Sequence, residues 1–302
     1  MPAPDVLVIG EANPDLLLTG DVVPEFGQVE KLVDSADLVL GGSAAIVACG
    51  LARLGVPTAL AAVVGADRFG DFVRDELDAA GVDTRWVVTD PGAATGLTVV
   101  LSAVDRAILT FSGTIGTTGP SVVDDDLLTR VRHVHSASYF LQPLLAPHLH
   151  GFLKCARDAG ASTSVDTNWD PAGQWTGVTA LLEHTSVLLP NAAELLALTG
   201  QSDVDAAAAQ VVSAGCQVAL KNGADGGIFW DRSGARTSTA APATSVVDTT
   251  GAGDSFDAGF ISAMLDGLAG PLCLERAVWC GSLSTRSVGG TASQATRADL
   301  NR

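Results

Sequence analysis

The segment Asp248-Thr249-Thr250-Gly251-Ala252-Gly253-Asp254-Ser255-Phe256-Asp257-Ala258-Gly259-Phe260 decides the fold more than any other part of the chain. A β-prone stretch at residues 245–247 leads into it, and apolar side chains at helical spacing follow. Small residues let a backbone approach a ligand closely, and the free N–H groups at a helix N-terminus attract anions. The segment therefore predicts an anion site formed by Gly251, Ala252 and Gly253.

Asp254 lies directly beside this predicted anion site. Because a carboxylate repels bound phosphate, its presence there favours a chemical role, which is to accept the proton of an alcohol that attacks phosphorus. A helix N-terminus favours the ionised carboxylate, so we expect Asp254 to be ionised at neutral pH. The structural alternative is that Asp254 is only an N-cap, which is worth about 1 kcal/mol.

Composition narrows the class of protein. The chain has 302 residues, is 47% hydrophobic, and carries 17 basic against 34 acidic residues, for a net charge of −17. Such a surface repels nucleic acid and anionic membranes, so we expect neither as a partner. The odd number of cysteines, without CxxC spacing, favours reduced thiols in a cytoplasmic protein, and we see neither a signal peptide nor a membrane-spanning apolar run.

Strand and helix patterns alternate along most of the chain. This alternation predicts an α/β fold with a mostly parallel sheet covered by helices on both faces. The predicted strands are residues 6–10, 59–64, 133–138, 162–166, 186–189, 218–221 and 227–230. The predicted helices are residues 41–54, 71–80, 147–159, 178–184, 192–199, 205–214, 258–268 and 272–287.

A separate β-hairpin is predicted from two alternating runs, residues 97–104 and 107–111, on either side of Asp105-Arg106. With residues 16–39 it would form a small sheet beside the main one. We see no linker, so we expect one domain over residues 1–302 with lid segments at about 15–40 and 95–112. The hairpin is apolar on both faces, and we expect its outer face to pair with a second copy in a homodimer.

Polar residues follow several predicted strands, where ligands bind in open α/β sheets. Each of them also has a simpler explanation as a cap or a turn residue. Asn191 and Glu194 have the spacing of a capping box, and the segment from Lys221 to Gly227 fits a β-hairpin turn. The residues in question are Asn13, Asp15, Asp166, Asn168, Asn191, Glu194, Lys221, Asn222 and Gly223.

Several common motifs are missing from the sequence. There is no Walker-type phosphate loop, no dinucleotide fingerprint after the first strand, and no GxSxG nucleophile elbow. The two HxH pairs, His133/His135 and His148/His150, have no third ligand nearby in the sequence, so we do not expect either pair to bind a metal.

Two stretches resemble signatures of the ribokinase-like PfkB carbohydrate kinase family. Gly41-Gly42-Ser43-Ala44-Ala45-Ile46-Val47-Ala48 through Gly55 is similar to its N-terminal signature, and Asp248–Phe260 to its C-terminal signature. The resemblance covers nearly the whole chain. It implies a ribokinase-like α/β fold with a small β-sheet lid, and an ATP-dependent kinase that phosphorylates a hydroxyl, which we expect to be primary, of a small sugar.

The resemblance also implies roles for single residues. Asp254 would be the general base, and Gly251, Ala252 and Gly253 would stabilise the transferred phosphoryl group. The implied sugar ligands are Asn13, Asp15, Gly41, Gly42 and Asp254. The implied nucleotide contacts are Lys221, Gly223, Gly226, Thr249, Gly251 and Gly253. Asn191 and Glu194 would hold Mg²⁺ through water, and some members have a monovalent cation site, here K⁺ at Asp248, Thr250 and Ser293.

One position departs from the family pattern. The N-terminal signature commonly has Asn where this chain has Ile46, so a polar contact to the sugar is missing. Two other functions stay open. A nucleoside kinase would need aromatic side chains to stack on a base, and Tyr139, Phe111 and Phe140 are the nearby candidates. The third possible function is that of a non-catalytic regulator that binds a sugar or a nucleotide. The presence of Asp254 and of the segment Gly251–Gly253 argues against this function.

Overall fold

The computed structural model describes residues 3–103 and 106–301. Within these residues it has thirteen strands in two sheets. They are β1 (Val6–Ile9), β2 (Asn13–Thr19), β3 (Ser35–Gly41), β4 (Thr58–Gly65), β5 (Val87–Asp90), β6 (Leu97–Ser102), β7 (Arg106–Phe111), β8 (His133–Ser136), β9 (Ser162–Val165), β10 (Val187–Leu188), β11 (Gln217–Lys221), β12 (Gly227–Trp230) and β13 (Arg236–Thr239).

The described helices alternate with the strands of the larger sheet. They are α1 (Ser43–Arg53), α2 (Arg68–Ala80), α3 (Thr114–Thr117), α4 (Asp125–Leu128), α5 (Ala146–Asp158), α6 (Ala192–Thr199), α7 (Val204–Ser213), α8 (Ala252–Leu265) and α9 (Gly270–Ser284). Short 3₁₀ helices cover Thr84–Trp86, Pro120–Val122, Tyr139–Leu141, Val178–His184, Gly223–Asp225 and Asp299–Asn301. No helix in the described ranges combines the length and apolar character needed to cross a membrane.

The larger sheet has the order β13-β12-β11-β10-β9-β8-β1-β4-β5. Its strands are parallel from β11 to β5, and only the β11–β12 and β12–β13 pairs are antiparallel. This confirms the predicted α/β class. Parallel strands bring their carboxyl ends to one edge, which is where the polar residues after β1, β9, β10 and β11 meet.

The core lies on both faces of this sheet, as the fully buried pattern of β1 requires. Leu7 and Ile9 pack on one side with α5 and α7, whereas Val6 and Val8 pack on the other with α1 and α8. Alternate side chains of a strand point to opposite faces, so a strand covered on both faces is apolar at every position. That is why the run at residues 6–9 predicts a central strand.

The smaller sheet has the order β3-β2-β6-β7 and stands apart from the larger one. The predicted hairpin is present as β6 and β7, but Arg106 belongs to β7 and pairs with Ser102 instead of forming the turn. Asp105, the other residue of the predicted turn, and Val104, the last residue of the first predicted run, lie outside the described residues. Strand β2 pairs in parallel with β6, with Asp15 opposite Thr98, which fixes the small sheet over the end of β1.

Three local predictions were wrong. Residues 245–247 are not a strand, because Val246 and Val247 are largely exposed and no strand partner lies beside them in the described chain. Helix α8 begins at Ala252, earlier than the predicted start at 258, since Gly251 with φ of 69° forms its N-cap. The segment Val178–His184 is a 3₁₀ helix, and β5 and β13 were not predicted.

Candidate active site

The N-terminus of α8 is built on a glycine that no other residue could replace without strain. Gly251 is the N-cap with φ of 69°, and a Cβ there would lie 2.5 Å from Cα of Gly290. Both the backbone conformation and the close backbone neighbour therefore require glycine. Ala252 and Gly253 open the helix, and their N–H groups belong to its first turn, whose donors lack partners within the helix.

Asp254 lies in the first turn of α8 and is not its N-cap, so the structural alternative was wrong. Its side chain is buried, and the Ser43 hydroxyl donates a hydrogen bond to Oδ1. Burial raises the pKa of Asp254 to about 7, although Lys221 and the Ser43 hydrogen bond act to lower it. The expectation of a fully ionised carboxylate at neutral pH therefore needs correction, because the group titrates near pH 7.

Ser43, the residue that contacts Asp254, is held by a carboxylate that sequence reasoning missed. Ser43 begins α1, and its backbone N–H donates to Glu11 Oε1 at 2.8 Å. The Ser138 hydroxyl donates to the same oxygen at 2.5 Å, and Asn168 Oδ1 accepts from the Ser138 N–H at 3.0 Å. The available signal was that Glu11 follows β1 by two residues, at the same strand end as Asn13.

The predicted sugar ligands come together beside this network. Asn13 Nδ2 donates to Asp15 Oδ1 at 2.9 Å, and a Cβ added to Gly41 would lie 2.0 Å from that oxygen. Gly42, the N-cap of α1, has φ of 83° and lies against the backbone of Glu11. Burial, helped by the neighbouring Glu11 carboxylate, raises the pKa of Asp15 to about 7, although the Asn13 hydrogen bond acts to lower it.

Ile46 occupies the position where the family signature commonly has Asn. Its side chain is buried, and its Cδ1 lies against Gly290, where an added Cβ would come within 2.7 Å. Gly290 in turn packs on Gly251. Ile46 thus supports the loop behind the α8 N-terminus through an apolar contact.

Lys221 lies between two buried carboxylates. Its Nζ is 2.5 Å from Asp166 Oδ2 and 3.0 Å from Asp257 Oδ2. Burial alone would lower the Lys221 pKa, but the two carboxylates outweigh it, so the ammonium stays charged. Asp257 was not predicted, although it lies one helical turn after Asp254. One oxygen each of Asp166, Asp254 and Asp257 lie within 4.8 Å of one another.

A cavity of about 410 Å³ opens next to this cluster, between the β11–β12 connection and helices α8 and α9. All residues predicted to contact the nucleotide, except Gly251, line this cavity. The segment from Lys221 to Gly227 joins an antiparallel pair, which confirms the predicted turn, and it also forms a wall of this cavity, whereas its contact with a nucleotide stays a prediction. The residues that line it include Lys221, Gly223, Gly226, Thr249 and Gly253, and also the apolar side chains of Val246, Phe256 and Val278.

Asn191 and Glu194 form the predicted capping box at the start of α6. The Glu194 N–H donates to Asn191 Oδ1 at 2.9 Å, and the Asn191 N–H donates to Glu194 Oε2 at 2.9 Å. Glu194 is buried, which raises its pKa to about 7, and the nearby Asp166 carboxylate adds to the effect. A buried carboxyl near a carboxylate is a group that a cation would stabilise in its ionised form.

The residues of the implied monovalent cation site are only partly brought together. Asp248 Oδ1 accepts from the Thr250 N–H at 2.9 Å and from the Thr250 hydroxyl at 2.8 Å. Asp248 Oδ2 accepts from the Gly289 N–H at 2.9 Å. The Ser293 hydroxyl instead bonds to Ser287 at 2.5 Å.

The histidines of the first HxH pair lie on β8, and His135 is near enough to Asp166 and Lys221 for both charges to act on its pKa. His133 and His135 are buried and bond to the hydroxyls of Ser162 and Ser164 at 2.7 Å. The prediction that the second HxH pair has no third ligand nearby was wrong for His150. Its Nε2 is 2.9 Å from Glu183 Oε1, and His184 lies in the same surface cluster, because α5 packs on the segment before β10.

An aromatic cluster surrounds the ends of β8 and β9. Phe140 stacks edge-on against Tyr139 and Trp175, with ring centroids 5.1 and 5.2 Å apart, and Trp169 stacks on Trp175 at 5.0 Å. Two of these rings, Trp169 and Trp175, were not predicted. Phe111, the third predicted aromatic, lies exposed on β7.

Comparison with known proteins places this arrangement in a family. The pfkB family carbohydrate kinase model matches residues 3–297. A ribokinase of Arabidopsis thaliana is 30% identical over 311 residues, which cover 99% of this chain and 80% of that protein. An ATP-dependent ribose-1-phosphate kinase of Halopiger xanaduensis is 33% identical over 304 residues, covering 97% and 95% of the two chains.

A solved structure agrees with these sequence matches. The structure of Arabidopsis thaliana ribokinase complexed with ribose and ATP has a TM-score of 0.87 and 27% identity, and the match covers 99% of this chain and 98% of that one. The family model extends over both sheets and over the Asp254 site. The chain therefore belongs to the PfkB family and is an ATP-dependent carbohydrate kinase.

Proposed function

We propose that the protein transfers the γ-phosphoryl group of ATP to a hydroxyl, a primary one, of a small sugar, with Asp254 as general base. The observation that carries this proposal is the hydroxyl of Ser43 bonded to the buried Asp254 carboxyl in the first turn of α8, where the Ala252 N–H donates to the Thr249 carbonyl oxygen at 3.2 Å. An O–H group can therefore donate to this carboxyl at the position where phosphate charge would be stabilised.

The sugar would bind between the small sheet and the start of α8. Asn13 and Asp15 would bind its hydroxyls, together with the backbone of Gly41 and Gly42, because these groups converge with Asp254 around one segment. A neutral polyol needs acceptors and donors in fixed directions, and Asn and Asp side chains supply both. The small sheet over β1 would act as a lid that excludes water, the competing nucleophile.

ATP would bind in the cavity between the β11–β12 connection and α9. Val246, Phe256 and Val278 give the cavity an apolar wall, as a nucleobase requires. Gly223, Gly226 and Thr249 lie where backbone and hydroxyl groups can reach ribose and phosphates. Gly253 connects the cavity to the α8 N-terminus, so a nucleotide along it would bring its γ-phosphate toward Gly251–Gly253 and Asp254.

Phosphoryl transfer depends more on the positioning of the reactants and the neutralisation of charge than on covalent catalysis by the protein. A loose phosphoryl transition state spreads charge over three oxygens, and the N–H groups of Gly251, Ala252 and Gly253 would stabilise that charge. Asp254 would take the proton of the attacking hydroxyl as the new bond to phosphorus forms. Lys221, held by Asp166 and Asp257, would keep a fixed positive charge near the phosphates.

The acidic groups around Lys221 fit Mg²⁺. Asp257 Oδ1 is buried without a hydrogen-bond partner among the described residues, and the pKa of Glu194 is raised to about 7 by burial. Carboxylate oxygen is the ligand type that Mg²⁺ prefers. Asn191 and Glu194 would hold the ion through water, and bound Mg²⁺ would neutralise phosphate charge. For the K⁺ of some family members, Asp248 and Thr250 would supply oxygens, and the Ser293 hydroxyl, which donates its proton to Ser287, keeps its oxygen lone pairs for a cation.

The exposed face of the small sheet supports a homodimer. Leu109 and Phe111 of β7 are 60% and 57% exposed, and Leu38 of β3, which lies on the same face at the opposite edge, is 42% exposed. Adjacent apolar side chains on one small sheet are typical of a surface that another subunit covers.

A nucleoside acceptor is the second candidate. The cluster of Phe140, Trp169 and Trp175 at the ends of β8 and β9 favours it, because aromatic rings can stack on a base and Trp169 is exposed. The polar residues that meet Asp254, however, are suited to hydroxyl groups. Nucleosides therefore belong in the same substrate panel as sugars.

The test is ADP release from Mg²⁺-ATP with a panel of neutral ketoses and aldoses, sugar acids, sugar phosphates and nucleosides. We expect turnover on a sugar, and a loss of at least about a hundredfold in Asp254→Asn, which keeps the side-chain shape but cannot accept the proton. Asp205→Asn, an exposed acid at the start of α7, is the matched control and should keep wild-type activity. Saturable ATP binding without turnover on any alcohol would instead favour a non-catalytic sugar- or nucleotide-binding regulator.

A further inference from the structure

A second cluster of metal-ligating side chains lies on the surface, outside the proposed active site. His150 belongs to α5, and Glu183 and His184 are the last residues of the 3₁₀ helix Val178–His184. His150 Nε2 is 2.9 Å from Glu183 Oε1, and His184 Nε2 is 3.7 Å from the same oxygen. One ligand atom of each residue lies within 4.8 Å of the other two. None of these three residues lines the proposed nucleotide cavity.

The apolar core holds the two elements that carry this cluster. Leu149 and Leu182, each next to a ligand residue in the sequence, are buried in the same core cluster. The rings of His150 and His184 meet edge to face, with their centroids 4.7 Å apart. The Thr163 hydroxyl of β9 also donates to the His184 carbonyl oxygen at 2.5 Å. The ligand atoms are therefore brought together by the packing of the fold, so little ordering is needed before an ion binds.

The charge around the cluster favours a cation. The hydrogen bond to His150 holds the pKa of Glu183 below its usual value, and the nearby His184 adds to this effect. The Lys154 ammonium also acts on Glu183, but it already lies 2.5 Å from Asp158 Oδ2. One ammonium and two carboxylates leave a net negative charge when the histidines are neutral, which is the form of imidazole that binds metals.

The donor set selects a transition metal over Mg²⁺. Two imidazole nitrogens and one carboxylate oxygen are ligands that hold Zn²⁺, with water in the fourth position. Mg²⁺ takes oxygen ligands and gives up its water reluctantly. Only one histidine of the second HxH pair belongs to this set, because the His148 ring stacks on Phe152 with the centroids 6.5 Å apart.

We propose that His150, Glu183 and His184 form a binding site for Zn²⁺, and that the bound ion ties α5 to the 3₁₀ helix before β10. The site is separate from the Mg²⁺ of the proposed kinase reaction and does not depend on that function. The unfolded chain does not hold the three ligands together, so an ion bound in this way stabilises the folded state.

The first experiment measures Zn²⁺ binding to the full-length chain, stripped of metal and free of any affinity tag, by titration calorimetry in excess Mg²⁺. The excess Mg²⁺ competes for the acids around Lys221, which would otherwise take Zn²⁺. We expect one Zn²⁺ per chain, and at least about tenfold weaker binding in His150→Ala and in Glu183→Gln. His148→Ala removes an exposed histidine from the same helix and should bind Zn²⁺ like the wild type. Unchanged affinity in His150→Ala, an equal loss in His148→Ala, or no binding by the wild type would overturn the proposal.

The second experiment separates a tie between two elements from loose surface binding. Free Zn²⁺ at about a hundred times its Kd should raise the Tm of the wild type and of His148→Ala by on the order of 5 °C. His150→Ala/His184→Ala should lose this rise. Its metal-free Tm should stay near that of the wild type, because the two side chains are 43% and 20% exposed.

Zn²⁺ binding without a rise in Tm would mean that the ion does not join the two elements, and would overturn the proposed tie. Neither experiment contains ATP or sugar. Failure of the proposed kinase function would therefore leave both results unchanged, and failure of the Zn²⁺ site would leave the kinase function standing.

Discussion

At the level of single residues, Asp254 shows how position and burial act on one carboxyl group. Its place at a helix N-terminus favours the ionised form, whereas burial among other acids favours the protonated form. Burial prevails, and the pKa rises to about 7. A base with this pKa is well matched to proton transfer near neutral pH, since it is partly ionised and still basic enough to accept a proton.

The raised pKa predicts a pH profile. Only the ionised form of Asp254 can act as base, so kcat/KM for the sugar at saturating Mg²⁺-ATP should rise about tenfold per pH unit below about pH 7 and level off above it. The measurement is initial rate at low sugar concentration from pH 5.5 to 8.5. A profile without an inflection between pH 6 and 8 would show that ionisation of this group does not control the rate.

The two ends of α8 offer a matched pair of glycines. Gly251 and Gly267 both have positive φ, 69° and 77°, but a Cβ on Gly251 meets the Gly290 backbone at 2.5 Å, whereas a Cβ on Gly267 has no neighbour within 4 Å. Gly267→Ala should therefore lower the free energy of unfolding by about 1 kcal/mol and keep activity. Gly251→Ala should cost more stability and abolish turnover, because the anion site is displaced. Denaturant unfolding and ADP release, measured on both variants, check this; equal effects would contradict it.

At the level of elements, α6 combines a structural cap with a candidate ligand. Asn191 caps α6 and Asp203 caps α7 through the same bond, a side-chain oxygen 2.9 Å from the N–H three residues later. Of these two helices, only α6 begins next to Lys221, because Asn191 forms a parallel β-bridge with Lys221. The two caps therefore separate the stability of a helix from its part in the site.

The paired substitutions are Asn191→Ala and Asp203→Ala. Each should lower the free energy of unfolding by about 1 kcal/mol, the typical loss of an N-cap. We expect only Asn191→Ala to raise the Mg²⁺ concentration required for half-maximal activity, because it also releases Glu194. Mg²⁺ titrations of ADP release at fixed ATP decide the point. If both variants, or neither, change the Mg²⁺ requirement, the role proposed for Asn191 is wrong.

At the level of the whole molecule, the buried acids make stability depend on pH. Burial raises the pKa of Asp15, Glu194 and Asp254 to about 7. The folded state then binds more protons than the unfolded state between about pH 4 and 7, so stability falls as pH rises through this range. His133 and His135, buried with lowered pKa, act in the opposite direction near their unfolded pKa of about 6.5.

The acids should prevail over the histidines. Each carboxyl with a pKa of about 7 loses roughly 1.3 kcal/mol of stabilisation between pH 6 and pH 8, and the raised pKa values of Glu11 and Asp257 act in the same direction, so five acids oppose two histidines. Without Mg²⁺, we therefore expect Tm to be lower at pH 8 than at pH 6, by on the order of 4 °C or more. Mg²⁺ should narrow this gap, since it stabilises the ionised acids. Scanning calorimetry at both pH values, with and without Mg²⁺, tests this, and a Tm that rises with pH would contradict it.

The proposed dimer gives a prediction at the same scale. Leu109 and Phe111 lie two residues apart on β7, on one face of the small sheet, and both are more than half exposed. Leu109→Lys/Phe111→Lys should convert a dimer to a monomer in sedimentation velocity, because buried lysines would be unpaired at the interface. Leu144→Lys/Leu272→Lys changes two exposed apolar residues outside the small sheet and should leave the dimer intact. A wild-type protein that sediments as a monomer would contradict the dimer itself.

The sequence by itself determined the fold class and the chemical centre. The apolar run at residues 6–9, the alternation of strands and helices, and the small residues before Asp254 all rest on local patterns, and local patterns can be read along the chain. The capping box at Asn191 and Glu194 was predictable for the same reason, since both partners lie within one helical turn.

Only the tertiary structure decided which acids share the site and how they titrate. Glu11, Ser43 and Asp254 are far apart in the sequence, and they meet because α1 and α8 begin at the same edge of the sheet. Burial, which moves the pKa of Asp254 against the trend of its helix position, is a property of the packed molecule. The ion pairs of Lys221 with Asp166 and Asp257 arise in the same way, because they join three segments that are distant in the sequence. Contacts between distant segments depend on packing that local periodicity does not encode, which is why the sequence indicated the segment that carries Asp254 but not the environment of that side chain.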